Sequence, residues 1–278
     1  IVGSETLSVS GSGVVSSENV GDSKTLTIGG LSLVDNSGEA NNYSISSATA
    51  NITKRPVNIS GSRAYDSSRT ASGSDLSFTN LVTGQTLSLT GSGILGSPAA
   101  GLQTIVNVNT LAIADGSGSA SNYTLTGGTL NMTIIPRSTS VSGTKTYDGS
   151  TTINPSNLTT FSNLAGSDTL SLSGSGSVSS ADVGTGKSVN TSGLTIANSS
   201  GVGSNYTLSG GTVNIVERII NLNGVRAFDG TANAVNTDLN LGNLASGENL
   251  TLSGTGTVSS AAVGMNKAIT IGSLSISD

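Results

Sequence analysis

Apolar and small polar residues alternate at period two along most of this chain, as in Thr169–Gly174 (TLSLSG), Ser188–Ala197 (SVNTSGLTIA) and Tyr206–Val216 (YTLSGGTVNIV). That period belongs to β-strands with one face buried. Ser-Gly and Asn-Gly clusters punctuate the strands as turns. No segment sustains a helical apolar stripe over three turns. A single short helical turn is expected after each "GSGxVSS" block. Ser17, Ser97, Ser180 and Ser260 are placed to cap it, and Pro98 stands once at its first position. Gly21, Gly101, Gly184 and Gly264 would close that turn in a left-handed conformation.

The pattern repeats about every eighty residues. "LSVSGSGVVSSENVG" from Leu7 returns from Leu87, Leu170 and Leu250 with small changes. The pairs Asn42-Tyr43, Asn122-Tyr123 and Asn205-Tyr206 recur, as do Tyr65-Asp66, Tyr147-Asp148-Gly149 and Phe228-Asp229-Gly230. The modules therefore run 1–53 (closing part), 54–135 and 136–216 (complete), and 217–278 (opening part). A unit of this size can bury a core of its own. The fold class is all-β: a tandem array of β-sandwich-like modules, Ig-like or β-grasp-like. The joints "NITKRPVNI", "MTIIPRSTSV" and "VNIVERIINL" carry β-branched residues across each boundary, with no Gly/Ser linker. Stiff joints and an elongated rod are expected, with Pro56 and Pro136 setting the turns into the next modules.

Comparison between copies weighs the aromatic-Asp-Gly motif. Phe228 stands where Tyr147 does, so a reactive hydroxyl is excluded, and Ser67 stands where Gly149 does. What persists is a ring followed by Asp. The ring is expected in the core at a strand end, with Tyr147 buried and inert. The Asp is expected to bind backbone N–H groups of the following turn. Tyr65, Asp66, Tyr147, Asp148, Gly149, Phe228, Asp229 and Gly230, together with Asn42, Tyr43, Asn122, Tyr123, Asn205 and Tyr206, are thus structural motif residues.

Composition narrows the chemistry further. The chain has 278 residues, only 10% of them charged, a net charge of −5, and neither Cys nor His. Disulfides, thiolate sites and imidazole catalysis are therefore unavailable. There is no basic footprint for nucleic acid, and no apolar run long enough to span a membrane. Carboxylates recur only once per module, which argues against a glycosidase pair and against an enzyme. The loops "DNSGEANN" and "ADGSGSASN" hint at calcium, but the third copy, "ANSSGVGSN", has no carboxylate. No metal and no cofactor are expected. Lys24, Lys187 and Lys267, with Thr104 in the second copy, read as guards of a strand edge. The "GSGVV" stretches read as hairpin turns. Asn51-Ile52-Thr53 and Asn131-Met132-Thr133 are sequons that a glycosylating host could modify.

Tyr147-Asp148-Gly149, then Val183-Gly184 with Lys187, then Asn205-Tyr206-Thr207-Leu208, resemble the YDG and related MBG-type repeats. These occur in very large bacterial exoproteins of the filamentous haemagglutinin type, exported by two-partner secretion. Ser67, Phe228 and Thr104 depart from the pattern. The resemblance implies a secreted adhesin or biofilm-matrix protein at the bacterial surface, with the repeats as its monomeric stalk. Attachment would run through regions outside this segment, to extracellular polysaccharide or to like molecules on neighbouring cells. The alternative is that the modules themselves form a multivalent exopolysaccharide-binding array.

Overall fold

A computed structural model describes residues 1–278, and it contains strands and short 3-10 turns with no α-helix. No helix is long and apolar enough to cross a membrane. The chain divides into two compact units, Ile1–Pro136 and Arg137–Asp278.

In the first unit, the second module forms a six-stranded sheet. Its order is Thr70–Ser72, Ser92–Leu95, Gly101–Asn107, Asn131–Ile135, Ile59–Ala64, Leu76–Phe78. The opening strand Ile59–Ala64 and the closing strand Asn131–Ile135 lie side by side at its centre and run parallel. A separate ribbon pairs Ser88–Thr90 with Ala112–Ala114. The second unit repeats this in the third module, where Arg137–Thr146 pairs in parallel with Tyr206–Val216 over ten residues. The first and last strands run parallel, side by side, in both modules. An Ig sandwich would be antiparallel throughout. Period-two alternation specifies strands but not their partners, so the sequence left this open.

Alternate residues of each closing strand fill the core. Met132 and Ile134 are fully buried, and so are Val213 and Ile215. In the third module they pack with Val141, Ile153, Leu158, Val178, Val189 and Leu194. Burying such side chains is worth about 1.5–3 kcal/mol each.

Two turn expectations are corrected. The "GSG" stretches are corners rather than hairpin turns. Leu170–Gly174 belongs to the ribbon and pairs with Leu194–Asn198, while Gly176–Ser177, just after the corner, pairs elsewhere with Thr152–Ile153. At the corner Gly174 has φ of +83°, and a Cβ there would lie 2.1 Å from the Gly193 carbonyl oxygen. Gly174→Ala is therefore expected to cost at least about 3 kcal/mol, combining left-handed strain with an unrelievable backbone clash. Thermal melts of the chain would measure it, and an unchanged melt would mean the corner opens freely.

The expected helical turn is a bend. Ser17, Ser97, Ser180 and Ser260 each accept the amide two residues on, at 3.2, 3.1, 3.1 and 3.2 Å, but no helix follows. The 3-10 turns lie instead directly before Tyr43, Tyr123 and Tyr206, and at Gly73–Asp75, Pro155–Asn157 and Asn236–Asp238. Of Gly21, Gly101, Gly184 and Gly264, only Gly101 has a positive φ, +114°. At the other three the lysine stem crosses the glycine: a Cβ would meet Lys24, Lys187 or Lys267 Cε at 2.9, 2.8 or 3.1 Å.

Candidate functional site

The recurring motif residues lie in turns and at contacts between successive modules within each unit, not in a common pocket. The aromatic-Asp turn comes first. Asp66, Asp148 and Asp229 accept the amides of Ser68, Ser150 and Thr231 at 2.8, 2.9 and 2.8 Å, as an Asx turn requires. The following residue is left-handed in all three copies: Ser67 at φ +66°, Gly149 at +74° and Gly230 at +80°. Glycine suits that position, and Ser67 occupies it under strain.

Each Asp also pairs with a cation three residues earlier, which the sequence reading missed. Arg63 pairs with Asp66, Lys145 with Asp148 at 2.7 Å, and Arg226 with Asp229 at 2.5 Å. The same cations reach across the turn to the carbonyl oxygens of Ser68, Ser150 and Thr231. Lys145 is buried and donates also to Thr152 O at 2.8 Å. The signal was available: in a chain with 11 Lys and Arg, one stands two residues before every motif ring.

These contacts set the titration of the turn. Burial favours the neutral acid at Asp66 and Asp148. The Ser68 amide with Arg63, and Lys145 with the Ser150 amide, outweigh it and hold both carboxyls below 3.8. The Thr231 amide and Arg226 hold Asp229 at about 2. A folded-state pKa below the unfolded value contributes stability that is complete above the unfolded pKa and disappears as pH falls through the folded one. Stability should therefore be level above about pH 5 and decline between about pH 4 and pH 2. Chemical denaturation across that range checks it, and a midpoint unchanged down to pH 2 would contradict it.

The ring lies in or against the core where a closing strand runs beside it, and Phe228 belongs to the opening part 217–278, which includes no closing strand. Tyr65 is buried at 5% exposure, Tyr147 is half-buried against the core, and Phe228 is 67% exposed. The closing strand makes the difference. Ile135 O accepts the Tyr65 amide and Val216 O the Tyr147 amide, both at 2.9 Å. No strand lies beside Phe228 in this way. The Tyr147 hydroxyl is not inert either, since it donates to Glu248 Oε1 of the next module. The Glu248 carboxylate, with burial, raises the phenol above its ordinary 10.0. Arg218 Nη1 meets Tyr147 O at 3.5 Å, and Gly149 lies beside the Ala245 methyl.

The Asn-Tyr motif also works at two levels. Within a module, Tyr43, Tyr123 and Tyr206 donate to Glu5, Gln85 and Asp168 at 2.5, 2.5 and 2.7 Å. They accept the amides of Val2, Val82 and Ala165 at 2.9, 3.4 and 3.0 Å. Tyr123 and Tyr206 are buried and Tyr43 half-buried. Hydrogen bonding to Glu5 raises the Tyr43 phenol. Between modules, Asn122 Oδ1 accepts the Val20 amide and its Nδ2 donates to Asn19 Oδ1, both at 2.8 Å. Asn205 is buried, whereas Asn42 is exposed.

The remaining candidates are structural. Lys187 and Lys267 tie the bend by donating to Ser180 O and Ser260 O at 3.2 and 2.8 Å, and Lys187 does so from an edge strand, Gly184–Val189. Their counterpart in the second copy is Gln103, not Thr104. Gln103 Nε2 donates to Ala99 O at 2.9 Å, and this copy lacks the strand bulge that the first and third have. Asp35 and Asp115 accept the Ala40 and Ala120 amides at 2.6 Å. Neutral Asn198 does the same for Gly203 at 2.7 Å. An uncharged residue thus suffices in the loops that hinted at calcium, and no group of three or more acidic side chains converges anywhere.

All-β modules that join through their own repeated motifs define a tandem-repeat protein. The YDG domain family matches residues 1–50, 52–132, 129–214 and 219–278, and the chain belongs to that family, in four tandem copies. No curated protein and no solved structure matches the chain.

Proposed function

We propose that this chain is a structural spacer of a secreted bacterial adhesin or biofilm-matrix protein, displayed at the cell surface or held in the matrix. In this reading it is a stalk with no catalytic role, and attachment to polysaccharide or to neighbouring cells lies elsewhere in the parent protein. The observation that carries it is the use of the motif side chains within the array itself. Asn122 grips Asn19 and Val20 of the preceding module, and Tyr147 grips Glu248 of the following one. Side chains that fasten one module to the next restrict bending and are withdrawn from ligand binding.

A glycan array probed with the chain tests this reading. It expects no saturable binding, and saturable binding to a polysaccharide would favour the alternative, a multivalent exopolysaccharide-binding array.

A further inference from the structure

In the third module the chain enters along Arg137–Thr146 and leaves along Tyr206–Val216. The two strands are neighbours and run parallel, with Arg137 beside Tyr206 at one end and Thr146 beside Val216 at the other. Entry and exit therefore lie at opposite ends of one strand pair. The ladder continues one step further, where the Tyr147 amide donates to Val216 O at 2.9 Å. Ser209 Oγ adds a strap, donating to Thr139 O at 2.9 Å where the register shifts.

This arrangement decides how tension acts. Pulling on the flanking chain draws Arg137 one way and Val216 the other, along the strand axis. The strands can separate only by sliding, so the evenly spaced bonds of the parallel ladder are strained together. An antiparallel pair of first and last strands would bring entry and exit to the same end, and its bonds would open one at a time. Water is also kept from the ladder. Thr139, Val141 and Lys145 on one strand are buried, and so are Val213 and Ile215 on the other. A bond broken there finds no solvent partner until its neighbours also give way. The second module has the same design, with Ser62, Arg63 and Ala64 beside Thr133, Ile134 and Ile135 in parallel.

We propose that each complete module is a mechanical clamp, which keeps its fold under a stretching load carried along the chain. This adds resistance to tension to the length and stiffness of the spacer reading, and rests on that reading only for the source of the load. Forced unfolding is governed by the unfolding barrier and not by equilibrium stability. A module of ordinary stability can therefore hold a strong clamp.

The test pulls the 278-residue chain in an optical trap. The chain has no cysteine, so introduced pairs fix where the handles attach. Ser138→Cys with Val216→Cys loads the ladder in shear. Ser138→Cys with Thr207→Cys pulls on two residues that face each other at one end of the same ladder, and opens it pair by pair. All three side chains are exposed, and urea midpoints of the two variants correct for any difference in stability. At one loading rate the shear pair should rupture at a force at least about threefold higher, because several bonds share the load. Rupture should come in a single step of about 240 Å, the contour of the freed segment less the strand length already spanned. Equal rupture forces in the two geometries, or a shear pair that lengthens in several smaller steps, would overturn the proposal. The load is applied directly to the molecule, so neither result bears on where the parent protein attaches or on whether the modules bind glycans.

Discussion

Tyr65→Ala is expected to destabilise its module by about 3–5 kcal/mol, whereas Phe228→Ala should cost less than about 0.5 kcal/mol. The two rings occupy the same place in the repeat and follow the same cation at the same spacing. Their burial differs because the closing strand Asn131–Ile135 runs beside Tyr65, and its Ile135 carbonyl takes the Tyr65 amide. Truncating a ring at 5% exposure leaves a cavity that the sheet cannot collapse. Truncating one at 67% exposure leaves only water. Denaturant melts that follow exchange of amides in each module separately would resolve both values. Equal losses would show that the ring's own turn sets its contribution, and not the strand beside it.

Lys145→Met is expected to cost about 3 kcal/mol, because a buried ammonium with three acceptors is removed and two carbonyls lose their donor. The acceptors are Asp148 Oδ1 at 2.7 Å, Ser150 O at 2.5 Å and Thr152 O at 2.8 Å. Asp148 is itself half exposed, so water can replace part of its share. The ion pair alone would contribute less than about 1 kcal/mol; most of the loss comes from removing the buried Lys145 stem and ammonium from its two carbonyl acceptors. Lys145→Arg should be close to neutral, since Arg63 and Arg226 make the equivalent contacts. Urea denaturation of both variants measures this, and a large loss in the arginine variant would mean that each turn is packed for its own cation.

Much of the fold was legible because the chain carries its own comparison. The strands, the period and the Asx turns followed from alternation and recurrence. The pairing of opening with closing strand did not, since residues such as Ser62 and Thr133 say nothing of each other across a module. Tyr147 was misjudged because Phe228 was read as proof that the hydroxyl is idle. Phe228 shows only that the ring can stand without the oxygen, not that the oxygen is idle where it is present. The oxygen acceptors Glu5, Gln85, Asp168 and Glu248 escaped notice because the repeat preserves an acceptor atom there, not a residue type. Thr104 was aligned with the lysines by letter count. One residue fewer within the strand, between Gly101 and Gln103, puts Gln103 in that role.

The spacer account makes length and stiffness the contribution of these modules, and makes their surface chemistry replaceable. Removing residues 136–216 from the parent protein takes out one whole period and joins like to like at the boundary. Filling that gap with an unrelated rigid β-module of similar length restores the reach but none of the sequence. Cell aggregation or matrix retention of the two versions, at matched surface display, is the decisive measurement. Full recovery with the filler is the predicted result. Adhesion that stays lost with the filler in place would contradict the account and make the modules themselves the adhesive surface.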